Sequence, residues 1–331
     1  MKIHALIEKA YSVLDGAELS KPDALALAEN IHGSDLPDLL SLANKVREKY
    51  APGMYCCSIL NAKSGSCPQN CKFCAQSAHH NTNIETYPQL NTEEVLQAAQ
   101  RAYDSGVRSF GYVTSGYGYL EPNDEFNRIL EALDAMRVRF PDMQLCVSIG
   151  ILSRETAQLL SEHHTGRYNM NLQTSPRRYG ELIADSHTIE EKIQTIRYLQ
   201  EFGVKICCGG IIGLGENFED RIDMALAIRD LNIEGIPLNV LLPIPGTPLE
   251  NTPAIAAADV AKTFALFRLI NPSRQIKFAA GRETVMKDFQ ALLMLSGANS
   301  LMTGGYLTTR GRSVDEDRKF IAELSKFNSA G

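Results

Sequence analysis

Residues 54–77 read M-Y-C-C-S-I-L-N-A-K-S-G-S-C-P-Q-N-C-K-F-C-A-Q-S, and this stretch decides how the rest of the chain is read. Its first part, 54–62, is a short apolar run that breaks at Lys63, Ser64 and Gly65, the pattern of a buried strand followed by a turn. A loop follows, and then a long amphipathic stretch opens at Asn91. The same strand, loop and helix pattern recurs to about residue 300, with strands expected at 107–114, 143–151, 167–172, 204–212, 236–242, 275–280 and 298–302. Counting the first, that makes the eight needed to close a parallel barrel. Asn91 with Glu94 and Thr188 with Glu191 are capping pairs that start helices, while Gly106 and Gly203 stand where a helix should end before a strand. The expected class is α/β, a (β/α)8 TIM-type barrel rather than an open doubly wound sheet.

Before the barrel, residues 1–50 show helical spacing of Ala, Leu and Ile, which predicts an N-terminal cap of two or three helices. The expected division is therefore a helical cap over 1–50, a barrel over 51–310 and a C-terminal tail over 311–331. Barrels of this kind meet their ligands at the C-terminal ends of the strands, so chemistry is expected there.

The chain has 331 residues, 44% apolar and 22% charged, with a net charge of −6. No basic cluster suited to phosphates is present, which argues for a small-molecule substrate and against nucleic acid. No apolar run approaches the ~18 residues of a membrane span, and Glu8, Lys9 and Asp15 interrupt any signal peptide. A cytoplasmic protein is expected, and its eight cysteines are then read as packing, metal-binding or catalytic thiols rather than disulfides.

Cys67, Cys71 and Cys74 form a C-x3-C-x2-C array with Phe73 before the last thiol. Three thiolates on one loop suit a [4Fe-4S] cluster and leave one iron open to a ligand such as the amino and carboxylate groups of S-adenosylmethionine (SAM). Structural zinc wants four closed ligands, and the second pair would have to be the adjacent Cys56 and Cys57. A zinc knuckle and simple buried thiols stand as the alternatives. Gly209, Gly210, Gly213 and Gly215 do not have G-x-G-x-x-G spacing and end a strand, so they do not mark a dinucleotide site.

The cysteine array, its place after the first strand, and GGIIGLGE at 209–216 resemble the radical SAM superfamily. Three further segments narrow the resemblance to the biotin synthase family over roughly 55–310: CAQS at 74–77, YNMNLQTS at 168–175, and GRE at 281–283 with GANS at 297–300. The resemblance implies that a cube on Cys67, Cys71 and Cys74 cleaves SAM to a 5′-deoxyadenosyl radical, which takes hydrogen from two saturated carbons of dethiobiotin. Unactivated C–H bonds are too weakly acidic for any side-chain base, so cofactor chemistry must carry this step. By position, Asn171 and Gln173 are expected at the SAM ribose, Phe73 and Ile211 at the adenine, and Asn169 and Asn239 at the ureido group of the substrate. Neutral amides match a cyclic urea because they offer donor and acceptor together. The resemblance further implies a homodimer and an electron donor such as flavodoxin or ferredoxin.

Departures from the family are equally specific. Its auxiliary [2Fe-2S] cluster uses three barrel cysteines and an arginine; here Cys146 and Cys207 match, but Gly111 and Lys277 replace the other two. Cys57, where the family usually has serine, supplies a third thiol. The expectation is an auxiliary iron-sulfur cluster of 2Fe or 4Fe type on Cys57, Cys146 and Cys207, with Lys277 as ligand or charge partner. Strand alternation lets only one of Cys56/Cys57 and one of Cys207/Cys208 face the barrel interior. His187 replaces an arginine expected to pair with the SAM carboxylate, and is carried as a SAM contact against an ordinary helix-start residue. His79, His80, His163 and His164 are expected at the surface. The rival functions are another full-barrel radical SAM enzyme, of the hydrogenase-maturation or methylornithine-synthase type, and a non-catalytic iron-sulfur scaffold.

Overall fold

A computed structural model describes residues 2–308 and 311–327. Each expected strand forms, with ends shifted by a few residues: β1 (Tyr55–Lys63), β2 (Ser109–Thr114), β3 (Gln144–Ser148), β4 (Arg167–Asn169), β5 (Lys205–Cys207, resumed as Gly210–Ile212), β6 (Gly235–Val240), β7 (Gln275–Phe278) and β8 (Ser300–Met302). Every strand pairs in parallel with the next, and β8 returns to β1 through Tyr55 opposite Ser300, so the sheet closes into a barrel. Closure leaves this sheet without an edge and directs alternate side chains inward.

One expected strand is interrupted. The run 204–212 breaks at Cys208 and Gly209 because the chain is pressed between its neighbours. A Cβ on Gly209 would lie 1.9 Å from the Pro237 carbonyl oxygen, and one on Gly210 would lie 2.5 Å from that of Gln173. These two glycines are therefore required by the adjoining backbone.

The helix signals hold. Asn91 with Glu94 and Thr188 with Glu191 form complete capping boxes, and Gly106 and Gly203 take the left-handed conformation that ends the preceding helices. The helix Ala257–Ile270 is buried on all sides from Val260 to Ile270. A helix buried all round needs cover on both faces. The barrel covers one, and the N-terminal helices Lys21–Asn30 and Leu36–Tyr50 cover the other.

Beyond residue 310 the chain carries a helix, Val314–Leu324, opened by a capping box of Ser313 and Glu316. It is pinned to the barrel by Asp317, whose carboxylate lies 2.5 Å from Arg282 of the GRE segment; both side chains are 1% exposed. Residues 328–331 of the expected tail, and 309–310 of the expected barrel, lie outside the described residues. Among the described residues no helix is long and apolar enough to cross a membrane.

Candidate active site

The cysteine loop hangs from the C-terminal end of β1 and is held by its own backbone. Cys67 N–H donates to the Gln76 carbonyl, Ala78 N–H donates to the Cys67 carbonyl, and Cys74 N–H donates to the Cys71 carbonyl. Lys72 N–H reaches across to the Ile183 carbonyl at 2.8 Å, which docks the loop on the segment before the helix Ile189–Glu201. Burial pushes the Cys71 thiol up to about 12, helped by the neighbouring Cys74 and Cys67, and burial also raises Cys74. Such thiols become ligands only when a metal displaces their protons. Among the described residues no three His, Cys, Asp or Glu side chains close around the point that a single ion would fill. A cube of four irons holds its thiolates farther apart than one ion does, and the three soft donors of this loop suit it.

Cys74 and Phe73 open onto a cavity at the C-terminal end of the barrel. Asn169, Asn171, Gln173, Ile211 and Asn239 line the same cavity. On β4 and the loop beyond it, Asn169, Asn171 and Gln173 reach the cavity, while Tyr168, Met170 and Leu172 are buried in the outer layer. Gln173 has φ +72°, rare for a side chain other than glycine, and its buried Oε1 has no hydrogen-bond partner. A strained residue with an orphaned acceptor at a cavity wall fits a ligand hydroxyl. Asn239 donates from Nδ2 to the Gly210 carbonyl and accepts at Oδ1 from Ala280 N–H. One hydrogen and one lone pair of its amide are left for the cavity. Asn171 accepts from Gly209 N–H at 3.1 Å and so holds the break in β5.

Cys57, Cys146, Cys207 and Lys277 line the cavity too, as do Gly111 and Arg167. Of the paired thiols, Cys57 and Cys207 line the cavity, whereas Cys56 and Cys208 do not, as strand alternation requires. Burial pushes the Cys146 thiol up to about 11, with Cys207 adding to the effect. Lys277 is 7% exposed. Burial alone would lower its ammonium, but Cys57, Cys207 and Cys146 around it outweigh burial and hold it above the ordinary lysine range. A protonated ammonium placed there would act as a charge partner to the thiols and would have no lone pair to give a metal.

His187 does not line the cavity. It is 8% exposed, accepts or donates a 2.8 Å hydrogen bond with the Tyr179 hydroxyl, and stands 3.9 Å from the Cys71 sulfur. Its ring therefore faces the cysteine loop. Burial first, and then Lys192, pushes its imidazole down to about 4. His79 and His80 do more than cover the surface: their Nε2 atoms lie 3.0 Å from the Pro68 and Cys71 carbonyls and clamp the loop from outside. Sequence reasoning missed these clamps, and it missed Arg167 and Tyr306, both at the cavity wall. Arg167 could have been found, since it stands two residues before Asn169 on the inward face of a strand.

A closed parallel barrel with three thiols on the loop after its first strand, opening on the strand-end cavity, defines a radical SAM enzyme. The family model of the Radical SAM superfamily matches residues 63–228, and that of the Biotin and Thiamin Synthesis associated domain matches 237–325. The chain is 50% identical over 331 residues to the biotin synthase of Chlorobium phaeobacteroides (strain BS1), covering 99% of this chain and 98% of that protein. It is 51% identical to the biotin synthase of Chlorobium luteolum (strain DSM 273 / BCRC 81028 / 2530), over 98% of both. The chain belongs to the biotin synthase family. Family membership brings a [4Fe-4S] cluster, SAM and an auxiliary iron-sulfur cluster, and makes the protein a sulfurtransferase.

Solved structures share the barrel. Methylornithine synthase (PylB) superposes with a TM-score of 0.81 at 18% identity, covering 98% of this chain and 99% of that one. The FeFe-hydrogenase maturase HydG from Carboxydothermus hydrogenoformans has a TM-score of 0.81 at 19% identity, covering 97% and 78%. Identity so low speaks for the fold alone, and the two rival enzyme types named from the sequence are thus relatives in architecture.

Proposed function

We propose that this protein forms biotin by inserting sulfur into dethiobiotin. Cys67, Cys71 and Cys74 would hold the [4Fe-4S] cluster; Cys57, Cys146 and Cys207 would hold the auxiliary one. When bound, these groups and SAM supply a radical able to remove hydrogen from unactivated carbons, and the sulfur that replaces it. The residues do the rest. Phe73 and Ile211 form the apolar walls for an adenine, and Asn171 and Gln173 offer hydrogen bonds to a ribose. Asn169 and Asn239 present amides to a urea, which fixes the substrate carbons between the two thiol sets. His187 acts on the cysteine loop through Tyr179 and Cys71 rather than on a carboxylate, and Lys277 balances the charge of the barrel thiols.

One observation carries this reading: a single cavity is lined at once by Cys74, by the amides of Asn169 and Asn239, and by Cys57, Cys146 and Cys207. Substrate carbons held there have the means of hydrogen removal on one side and the sulfur source on the other. The cytoplasm, a flavodoxin or ferredoxin as electron donor, and a homodimer belong to the same proposal, as does the division into a cap at 1–50, a barrel at 51–310 and a tail.

The test is anaerobic incubation of reduced, cluster-loaded protein with SAM and dethiobiotin. Biotin together with 5′-deoxyadenosine is expected; 5′-deoxyadenosine without biotin or a thiolated intermediate would defeat the proposal. Cys57→Ala should lose the auxiliary cluster while keeping SAM cleavage. Retention of both clusters and of biotin formation in that variant would remove Cys57 from the site.

A further inference from the structure

Among the described residues no carboxylate lines the cavity, and its charged side chains are Arg167 and Lys277, both cations. A buried charge without a counter-charge costs several kcal/mol. A group carrying negative charge would therefore suit the space. Both cations face the same three thiols, Cys57, Cys146 and Cys207, and Arg167 also has a side-chain hydrogen bond with Cys207. Its register partner across β3 is Cys146, and Asn169, two residues on, is paired with Cys207. Gly235 leaves the room in which the two meet, since a Cβ there would lie 2.7 Å from the Cys207 sulfur and 3.8 Å from Arg167 Nη1. The guanidinium is tethered at one end, where Nη1 donates to Gln275 Oε1 at 2.8 Å. At the other, Nε is buried and has no partner. A rigid fork with one arm fixed and one donor idle beside two thiols is arranged to receive an acceptor on the thiol side.

We infer that Arg167 is a positioning residue and fixed counter-cation of the auxiliary cluster, its Nε–H reserved for a sulfur of that cluster. This rests on the auxiliary site proposed above and deepens it. Two cations, Arg167 and Lys277, would then neutralise a group of thiolates and sulfides in the cavity they both line. A cation beside a cluster stabilises the reduced, more negative form, and outer partners of metal ligands commonly change metal affinity about 10- to 100-fold when removed.

The experiment compares wild-type protein, Arg167→Gln, Arg167→Lys and Gln275→Leu, all anaerobically reconstituted. Iron and acid-labile sulfide, resistance of each cluster to a chelator, and the reduction potential of the second cluster are measured, with SAM cleavage as the control for folding and for the first cluster. Arg167→Gln is expected to keep SAM cleavage but to hold the second cluster about 10- to 100-fold more weakly, at a lowered potential. Arg167→Lys should recover most of the binding because the charge returns. Gln275→Leu, which frees the tether without altering the charge, should shift the spectrum and potential less.

An Arg167→Gln protein whose second cluster has wild-type chelator resistance and potential overturns the inference. If that variant loses SAM cleavage through misfolding, Gln275→Leu decides, and an unchanged second cluster there overturns it equally. Wild-type protein that takes up iron for one cluster only defeats the auxiliary-site reading itself, and this inference with it.

Discussion

Gln173 shows how a single residue can trade stability for binding. Its left-handed backbone costs on the order of 1 kcal/mol, and its side-chain oxygen is buried without a partner. Gln173→Gly removes both features at once. The strain relieved is offset by the greater freedom of glycine in the unfolded chain, so stability should change by less than about 1 kcal/mol. Binding of SAM should weaken by about tenfold, the worth of one hydrogen bond. Titration of SAM alongside a denaturation curve checks both; equal SAM affinity in the variant would take Gln173 out of the site. Asn239 differs, because its amide stitches β5 to the loop that follows β7 as well as facing the cavity. Asn239→Leu should therefore lower stability by about 1–3 kcal/mol and also weaken dethiobiotin binding, visible as a raised KM.

At the scale of elements, two helices carry distinct loads. The helix Ile189–Glu201 opens with the Thr188–Glu191 capping box directly after His187, which faces the cysteine loop. Thr188→Ala should cost about 1 kcal/mol, read from the denaturant midpoint. The helix Ala257–Ile270 carries Arg268, whose guanidinium donates to the carbonyls of Gly297, Pro272 and Arg274 and to Asn299 Oδ1. Arg268 is fully buried, and burial followed by the nearby Arg47 pushes it down to about 9. Arg268→Met leaves those acceptors unsatisfied in the interior and should destabilise by about 3 kcal/mol or more. Its effect on SAM affinity of the folded fraction should be small, since Arg268 does not line the cavity.

For the molecule as a whole, the barrel joins two ligand sets that are far apart in sequence, and their metal groups should act as cross-links. Groups that bind only the folded chain stabilise it by mass action. Stripping iron by reduction and chelation should lower Tm by roughly 4 °C, the equivalent of about 3 kcal/mol in a chain of this size. Calorimetry of loaded and stripped protein checks this, and an unchanged Tm would mean that the thiols contribute nothing to stability through metal. Cys57→Ala should show part of the drop and the Cys67, Cys71, Cys74 triple variant the remainder.

Much of this was legible in the chain itself. The eight strands, the capping boxes, the glycine helix ends and the three-thiol loop follow from local rules of period, capping and spacing; alternation allowed only one thiol of each adjacent pair inside, and the family resemblance picked Cys57 and Cys207. The break in β5 was not legible, because it depends on Pro237 and Gln173 crowding Gly209 and Gly210 from strands far off in sequence. Nor were the histidine clamps on the cysteine loop, the docking of Asp317 on Arg282, or the placing of Arg167 beside the barrel thiols. Local order is written in neighbours along the chain, whereas charge balance and close approach are settled only when closure of the barrel sets distant residues face to face.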